Sequence, residues 1–156
     1  MRPNYWTRFI GVSDPRQGAL SDMYTLRRQF LESKGIKETE MLVWQTDKTF
    51  SNMRKAAETH NLEAFKEAKR AYLETKTASG KLRNYKTFKA SLRYLDPIAS
   101  RLKKSDEKEF EFQFLTPPQK EKLKMVRDYA GELGDTMWNY WQQAIIDESV
   151  QKAKAK

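Results

Sequence analysis

The sequence predicts a mainly α-helical protein: an extended bundle of about five helices with an irregular aromatic N-terminal arm and at most one short strand or hairpin. Three observations point there. Apolar residues recur at three- and four-residue spacing over most of the chain, the period of a helix with one buried stripe. Start and stop signals for helices separate those stretches. The apolar supply is thin, because Leu, Ile, Val and Phe together number 30 of 156 residues, near the ~20% below which charged chains tend to disorder. Aromatic residues at 12% offset that deficit, so a folded chain built on narrow stripes is expected. The length fits one domain. It is read as a docking arm over 1–19, a helical body with a basic face over 20–104, and an acidic, Phe-rich connector with a long C-terminal helix over 105–156.

The arm carries Tyr5, Trp6, Phe9 and Ile10 between Pro3, Gly11, Pro15 and Gly18. Ser13-Asp14-Pro15 places a cap before a proline in the first helical turn, and Ser33-Lys34-Gly35 ends the helix. Its stripe is Leu20, Met23, Leu26 and Phe30. Met41-Leu42-Val43-Trp44 is too short for periodicity to choose between helix and strand. Asp47 caps a second helix bearing Phe50, Met53 and Ala57, which stops around His60-Asn61. A third runs from Leu62 towards Ala78 on Leu62, Phe65, Ala68 and Tyr72, with Gly80 as its stop. A fourth is expected on Leu82, Tyr85, Phe88, Leu92 and Leu95, until Asp96-Pro97 breaks it.

Phe110, Phe112 and Phe114 alternate with Glu109, Glu111 and Gln113, the signature of a half-buried strand. Asp106-Glu107-Lys108-Glu109 equally resembles a capping box opening a short helix, and both readings stay open. Thr116-Pro117-Pro118-Gln119 is a helix start. In the helix that follows, Leu123, Val126, Ala130, Leu133, Met137, Tyr140 and Ala144 keep heptad spacing, widened by Trp138, Trp141 and Ile145. That seam is either the core of this chain or an interface with another. Gly131 and Gly134 each cost ~1 kcal/mol against alanine inside a helix, so they imply either a close backbone neighbour or a break.

The charge of +9 is unevenly placed. Residues 1–50 hold 8 basic and 6 acidic groups, 51–105 hold 14 and 5, and 106–156 hold 8 and 10. The stretch 76–104 carries nine basic residues, among them Lys81, Lys86, Lys89, Arg93, Arg101, Lys103 and Lys104, against Asp96 alone. Such a face is simply solvated, or contacts phosphate backbones, or meets an acidic protein surface. Trp138, Tyr140 and Trp141 lie among Asp135, Asp147 and Glu148, apart in sequence from that stretch, and read as core or interface instead of a base-stacking platform.

Catalytic patterns are missing from the sequence: there is no phosphate-cradling glycine loop, nucleophile elbow or zinc-protease helix. There is no cysteine and one histidine, His60, at a helix junction that favours a capping or solvated role. No catalytic residue, metal, cofactor or small-molecule substrate is inferred. Asp106, Glu107, Glu109 and Glu111 would need a further carboxylate to hold Mg²⁺ for hydrolysis. No run reaches the ~18 apolar residues of a membrane span, and residues 1–10 lack a signal-peptide core. An intracellular or virion-associated protein, not secreted by a signal peptide, is expected.

His60-Asn61-Leu62-Glu63-Ala64-Phe65 is locally similar to the helix turn of a tetratricopeptide repeat, but no second copy follows at the 34-residue period of that family. More of the chain, from Tyr5-Trp6-Thr7-Arg8-Phe9 through Asn61-Leu62-Glu63-Ala64, Asp96-Pro97-Ile98 and Leu115-Thr116-Pro117, resembles helical segments of large polyvalent and internal virion proteins of bacteriophages. The resemblance implies a non-enzymatic assembly or DNA-delivery component with protein subunits, its own copies or others, as partners. The composition adds nucleic acid as the alternative partner, met through residues 76–104.

Overall fold

A computed structural model describes residues 15–37 and 48–155. The arm aromatics Tyr5, Trp6, Phe9 and Ile10, the caps at 13–14 and Asp47, and the apolar run at 41–44 lie outside the described residues. Among the described residues six α-helices follow in order: α1 (Pro15–Ser33), α2 (Lys48–Glu58), α3 (Leu62–Leu73), α4 (Tyr85–Ser91), α5 (Lys104–Glu109) and α6 (Pro117–Ala155). A 3-10 turn covers Leu92–Leu95 and a π-helical turn Phe110–Phe114. The protein is mainly α, and among the described residues the only extended pairing is one antiparallel bridge, Lys76 with Leu82. The described residues gather into two compact units, the first from 15–37 and 93–132, the second from 48–92 and 133–155.

In the first unit, α1 buries Ala19, Leu20, Met23 and Phe30, close to the stripe its spacing predicts. It ends where expected. Gly35 takes a left-handed φ of 64°, its N–H donates to Glu32 O, and the Ile36 N–H donates to Leu31 O. These two bonds satisfy carbonyls that a helix end leaves open, at a φ that costs glycine nothing. The α6 start also matches: Pro117 is the first helical residue and the Gln119 side chain accepts from the Thr116 N–H at 2.9 Å.

The strand alternative for 109–114 is overturned, because the phenylalanines stand on a helical path. On a strand all three rings would share one face, whereas here Phe110 is buried and Phe112 is 65% exposed. The Leu115 N–H reaches back five residues to Phe110 O. Through that widened turn Phe110 and Phe114 stack at 5.8 Å, and Phe30 meets both edge-on at 5.4 and 5.3 Å. Acidic groups in the first turn of α5, Asp106 and Glu107, favour helix by facing its positive end.

The same segment supplies the first unit's main ion-pair network. The guanidinium of Arg127 on α6 meets Asp96 at 3.0 Å, Glu107 at 3.0 Å and Glu111 at 2.7 Å, and Arg93 shares Glu107 at 3.0 Å. Arg127 thereby ties α6 to the Asp96-Pro97 break, to α5 and to the π-helical turn. Glu109 pairs with Lys34, so three of the four acidic residues considered for Mg²⁺ are engaged with cations.

In the second unit, α2 and α3 are joined at Thr59, His60 and Asn61. His60 holds the left-handed position with φ 54°, its N–H donating to Ala57 O and that of Asn61 to Ala56 O. Asn61 then caps α3 by accepting from the Ala64 N–H at 3.0 Å. His60 is therefore a helix-terminus residue, as its place in the sequence implied. Phe50, Met53 and Ala57 of α2 and Phe65, Ala68 and Tyr72 of α3 are buried, and Lys66 and Lys69 pair with Asp147 and Glu148 of α6.

Several helix boundaries differ from expectation. α5 starts at Lys104, its cap Lys103 making no side-chain bond, so the capping box read at Asp106 to Glu109 does not form. α3 stops at Leu73 instead of near Ala78, and residues 75–83 form a small hairpin. The Thr77 N–H donates to Lys81 O, the Arg83 N–H to Thr75 O, and the Gly80 N–H to Thr77 O, with Gly80 at φ 84°. The β-branched Thr75 and Thr77 favour this extended path, and the Thr75 hydroxyl donates to Tyr72 O at 2.6 Å, closing the helix end. The fourth helix consequently begins only at Tyr85. Asn84 accepts from the Lys86 and Thr87 N–H groups while the Thr87 hydroxyl accepts from the Asn84 N–H. Of its expected stripe Phe88 and Leu95 are buried, but Leu82 and Tyr85 are 58% and 51% exposed.

The heptad seam is core of this chain. Leu123, Val126, Leu133, Met137, Trp141 and Ala144 are all buried, with Trp138 and Tyr140 half-buried. α6 runs unbroken through Gly131 and Gly134, and a Cβ on the exposed Gly131 would meet nothing within 4 Å. Neither a close neighbour nor a break accounts for Gly131. Gly131→Ala should therefore raise stability by about 1 kcal/mol, seen as a higher urea midpoint with an unchanged slope. A decrease would show that the site does not tolerate a methyl group.

Glu58 is fully buried at the end of α2. Burial pushes its carboxyl up to about 7, against the opposing pull of Arg54 and Lys55. The folded state thus holds a proton that the unfolded chain releases at about 4.5. Stability should fall as pH rises from about 4.5 to 7 and stay lowered above, by about 3 kcal/mol. Glu58→Gln removes that ionisation, so its melting temperature should stay flat from pH 5 to 8 where the parent's declines. Parallel curves would contradict this account of Glu58.

Candidate nucleic-acid interface

The two units divide the basic stretch. Lys81, Lys86 and Lys89 belong to the second, whereas Arg93, Arg101, Lys103 and Lys104 belong to the first. Arg93 is held by Glu107, Arg101 lines a cleft with Arg27 and Arg28, and Lys103 and Lys104 are exposed at the start of α5. The expected face over 76–104 thus draws on residues of both units. Over the described residues the charge favours the second unit, with 13 Lys plus Arg against 7 Asp plus Glu, over the first with 14 against 10.

In the second unit the hairpin and α4 present the cations. Lys76, Lys81, Lys86 and Lys89 are exposed and Arg83 is half-buried, its guanidinium 6.0 Å from the Tyr72 ring centre. The Asn84 capping box fixes the start of α4. The buried Phe88 anchors it by stacking on Trp141 at 4.3 Å and Trp138 at 6.3 Å, with Phe50, Phe65 and Tyr72 around it at 5.9–6.3 Å. Lys86 and Lys89 ride on that fixed helix. Between Glu74 and Asp96 the sequence contains no acidic residue, so no carboxylate of its own stretch offsets them. The exposed Tyr85 has the Lys86 ammonium 6.0 Å from its ring centre.

The tryptophan cluster is not remote from these cations. Lys89 lies 5.1 Å from the Trp138 ring centre and Lys69 5.1 Å from that of Trp141. Reading by sequence distance separated them; the return of α6 past α3 and α4 brings them together. Trp141 remains core at 2% exposure, so the aromatic surface open to a ligand is Tyr85 and part of Trp138, not the cluster as a whole. Lys69, nearly fully buried, reaches both Glu148 oxygens at 3.2 Å and serves packing. No periodic signal singled out Lys69; its burial follows from sharing one α3 face with Phe65 and Tyr72.

Chemically, this surface offers several ammonium groups and an exposed ring on a rigid base, suited to phosphate oxygens and adjacent bases without base-edge readout. Among the described residues no group of three His, Cys, Asp or Glu side chains is placed to hold a metal ion, and no helix is long and apolar enough to cross a membrane. What the fold and surface define is a mainly α-helical protein with a cationic hairpin–helix face. No protein-family model, curated protein or solved structure matches the chain, so its function is read from its own residues.

Proposed function

We propose that this is a non-catalytic helical binding protein that works in an assembly beside nucleic acid, and that it contacts phosphate backbones through the 75–83 hairpin and α4. The observation that carries the reading is the set Lys76, Lys81, Lys86 and Lys89, exposed on a capped and aromatic-anchored scaffold with no acid between Glu74 and Asp96. Long-range attraction from such a patch acts on any polyanion, and the exposed Tyr85 beside Lys86 adds a face on which an unpaired base at a strand end can stack. A phage virion or DNA-delivery component, as the resemblance implies, would use contacts of this kind, indifferent to sequence. The buried seam of α6 supplies the scaffold, and the association with other subunits belongs to surfaces outside it.

Fluorescence anisotropy with a labelled duplex of arbitrary sequence tests this. Lys81→Gln, Lys86→Gln and Lys89→Gln together should weaken binding about 10- to 100-fold at low salt, equally for unrelated sequences. Lys103→Gln with Lys104→Gln, in the first unit, should have a small effect. The reverse order would move the interface, and equal affinity in all proteins would remove it.

A further inference from the structure

In the first unit, residues Tyr24, Arg27, Arg28 and Leu31 form one stripe of α1 at three- and four-residue spacing. With Ile36 and Arg101 they line an open cleft of about 640 Å³, within the ~300–1,000 Å³ of small-ligand sites. Arg27 is fixed twice, its Nη1 donating to Pro97 O at 2.6 Å and its guanidinium lying 5.1 Å from the Tyr24 ring centre. Burial makes the Arg27 guanidinium lose its proton more readily than usual, with the charge of Arg101 adding to this and Tyr24 opposing it. Arg28 and Arg101 are exposed, and neither has a carboxylate within salt-bridge distance among the described residues. Glu32 is the one acid on the lining. The cleft therefore gathers three guanidinium groups against one carboxylate, a net charge near +2 whose self-repulsion an anion would relieve.

We propose that this cleft binds a phosphate monoester of nucleotide size. A monoester carries about −1.5 to −2 at neutral pH, matching the excess, whereas a backbone diester or a lone carboxylate brings only one charge. Guanidinium forks suit its three terminal oxygens better than point charges do. Leu31, Ile36 and the Tyr24 ring then face the organic part. The site is independent of the hairpin–α4 surface, and it takes the shared chemistry of a free nucleoside monophosphate and the 5′-phosphate end of a strand.

Calorimetry with AMP and adenosine, and anisotropy with 5′-phosphorylated and 5′-hydroxyl forms of one short oligonucleotide, distinguish these. AMP binding at least about tenfold tighter than adenosine supports the site for a free nucleotide, and a similar preference for the phosphorylated oligonucleotide supports it for a strand end. Arg28→Gln and Arg101→Gln, neither of which removes an ion pair, should each abolish the preference, while the Lys81, Lys86 and Lys89 variant keeps it. Absence of a preference in both pairs of ligands, or its survival in both arginine variants, would overturn the proposal. Failure here with intact duplex binding leaves the backbone-binding surface standing, and the converse also holds.

Discussion

Phe88→Ala should cost about 3–5 kcal/mol. Phe88 is fully buried, and removing a phenyl ring from such a site forfeits its transfer free energy and leaves a cavity. The effect reaches beyond area, because the ring stacks on Trp141 and Trp138 and touches Phe50, Phe65 and Tyr72. Aromatic pairs of this geometry each add about 0.5–1.5 kcal/mol over burial. Urea unfolding should show the lower midpoint, and near-ultraviolet circular dichroism the weakening of the indole bands. Phe88→Leu should cost distinctly less. A change below about 1 kcal/mol for alanine would mean that the aromatic stack does not hold α4 in place, and the fixed presentation of Lys86 and Lys89 would go with it.

Arg127→Met should be the second costly change, at about 2–4 kcal/mol. Its three carboxylate partners, Asp96, Glu107 and Glu111, are each less than a third exposed. Truncating the cation leaves Asp96 and Glu111 without an ion partner, which costs more than the pairs themselves contribute. Arg93 retains Glu107, so part of the network survives. A methionine preserves most of the aliphatic stem, which separates the effect of charge from that of packing. Combining Arg127→Met with Glu111→Gln should cost less than the sum of the two, since the second change removes one of the stranded charges. Strict additivity in denaturant unfolding would show that Arg127 and Glu111 do not act on each other.

Helix type and order were largely legible in the sequence, because stripes and caps are local. The α1 stop at Gly35, the α6 start at Thr116-Pro117 and the buried seam from Leu123 to Ala144 follow from spacing and turn chemistry alone. The misread boundaries lie where two local signals compete. Leu82 and Tyr85 keep helical spacing with Phe88, yet the Asn84 cap and the threonines upstream prevail, and the hairpin leaves Leu82 exposed. At 109–114 alternation and the acidic first turn gave opposite readings. The outcome rests on Phe30 and Arg127, more than ten residues away in the chain, which no window of sequence contains. The candidate surface was legible as charge but not as geometry. Counting could place cations over 76–104, but only the fold assigns Lys81, Lys86 and Lys89 to one unit and Arg101 to another, beside Arg27 and Arg28.

The central claim concerns phosphate binding by the hairpin and α4, and the salt dependence of duplex affinity tests it most directly. Each phosphate neutralised by a lysine releases condensed counterions, so the slope of log affinity against log salt reports how many phosphates are neutralised. Removing the charges of Lys81, Lys86 and Lys89 should make that slope shallower by about 2–3, close to 0.9 for each phosphate left without its lysine. The same slope and affinity in parent and variant would contradict the account, because the nucleic acid would then be held by other residues or not held at all.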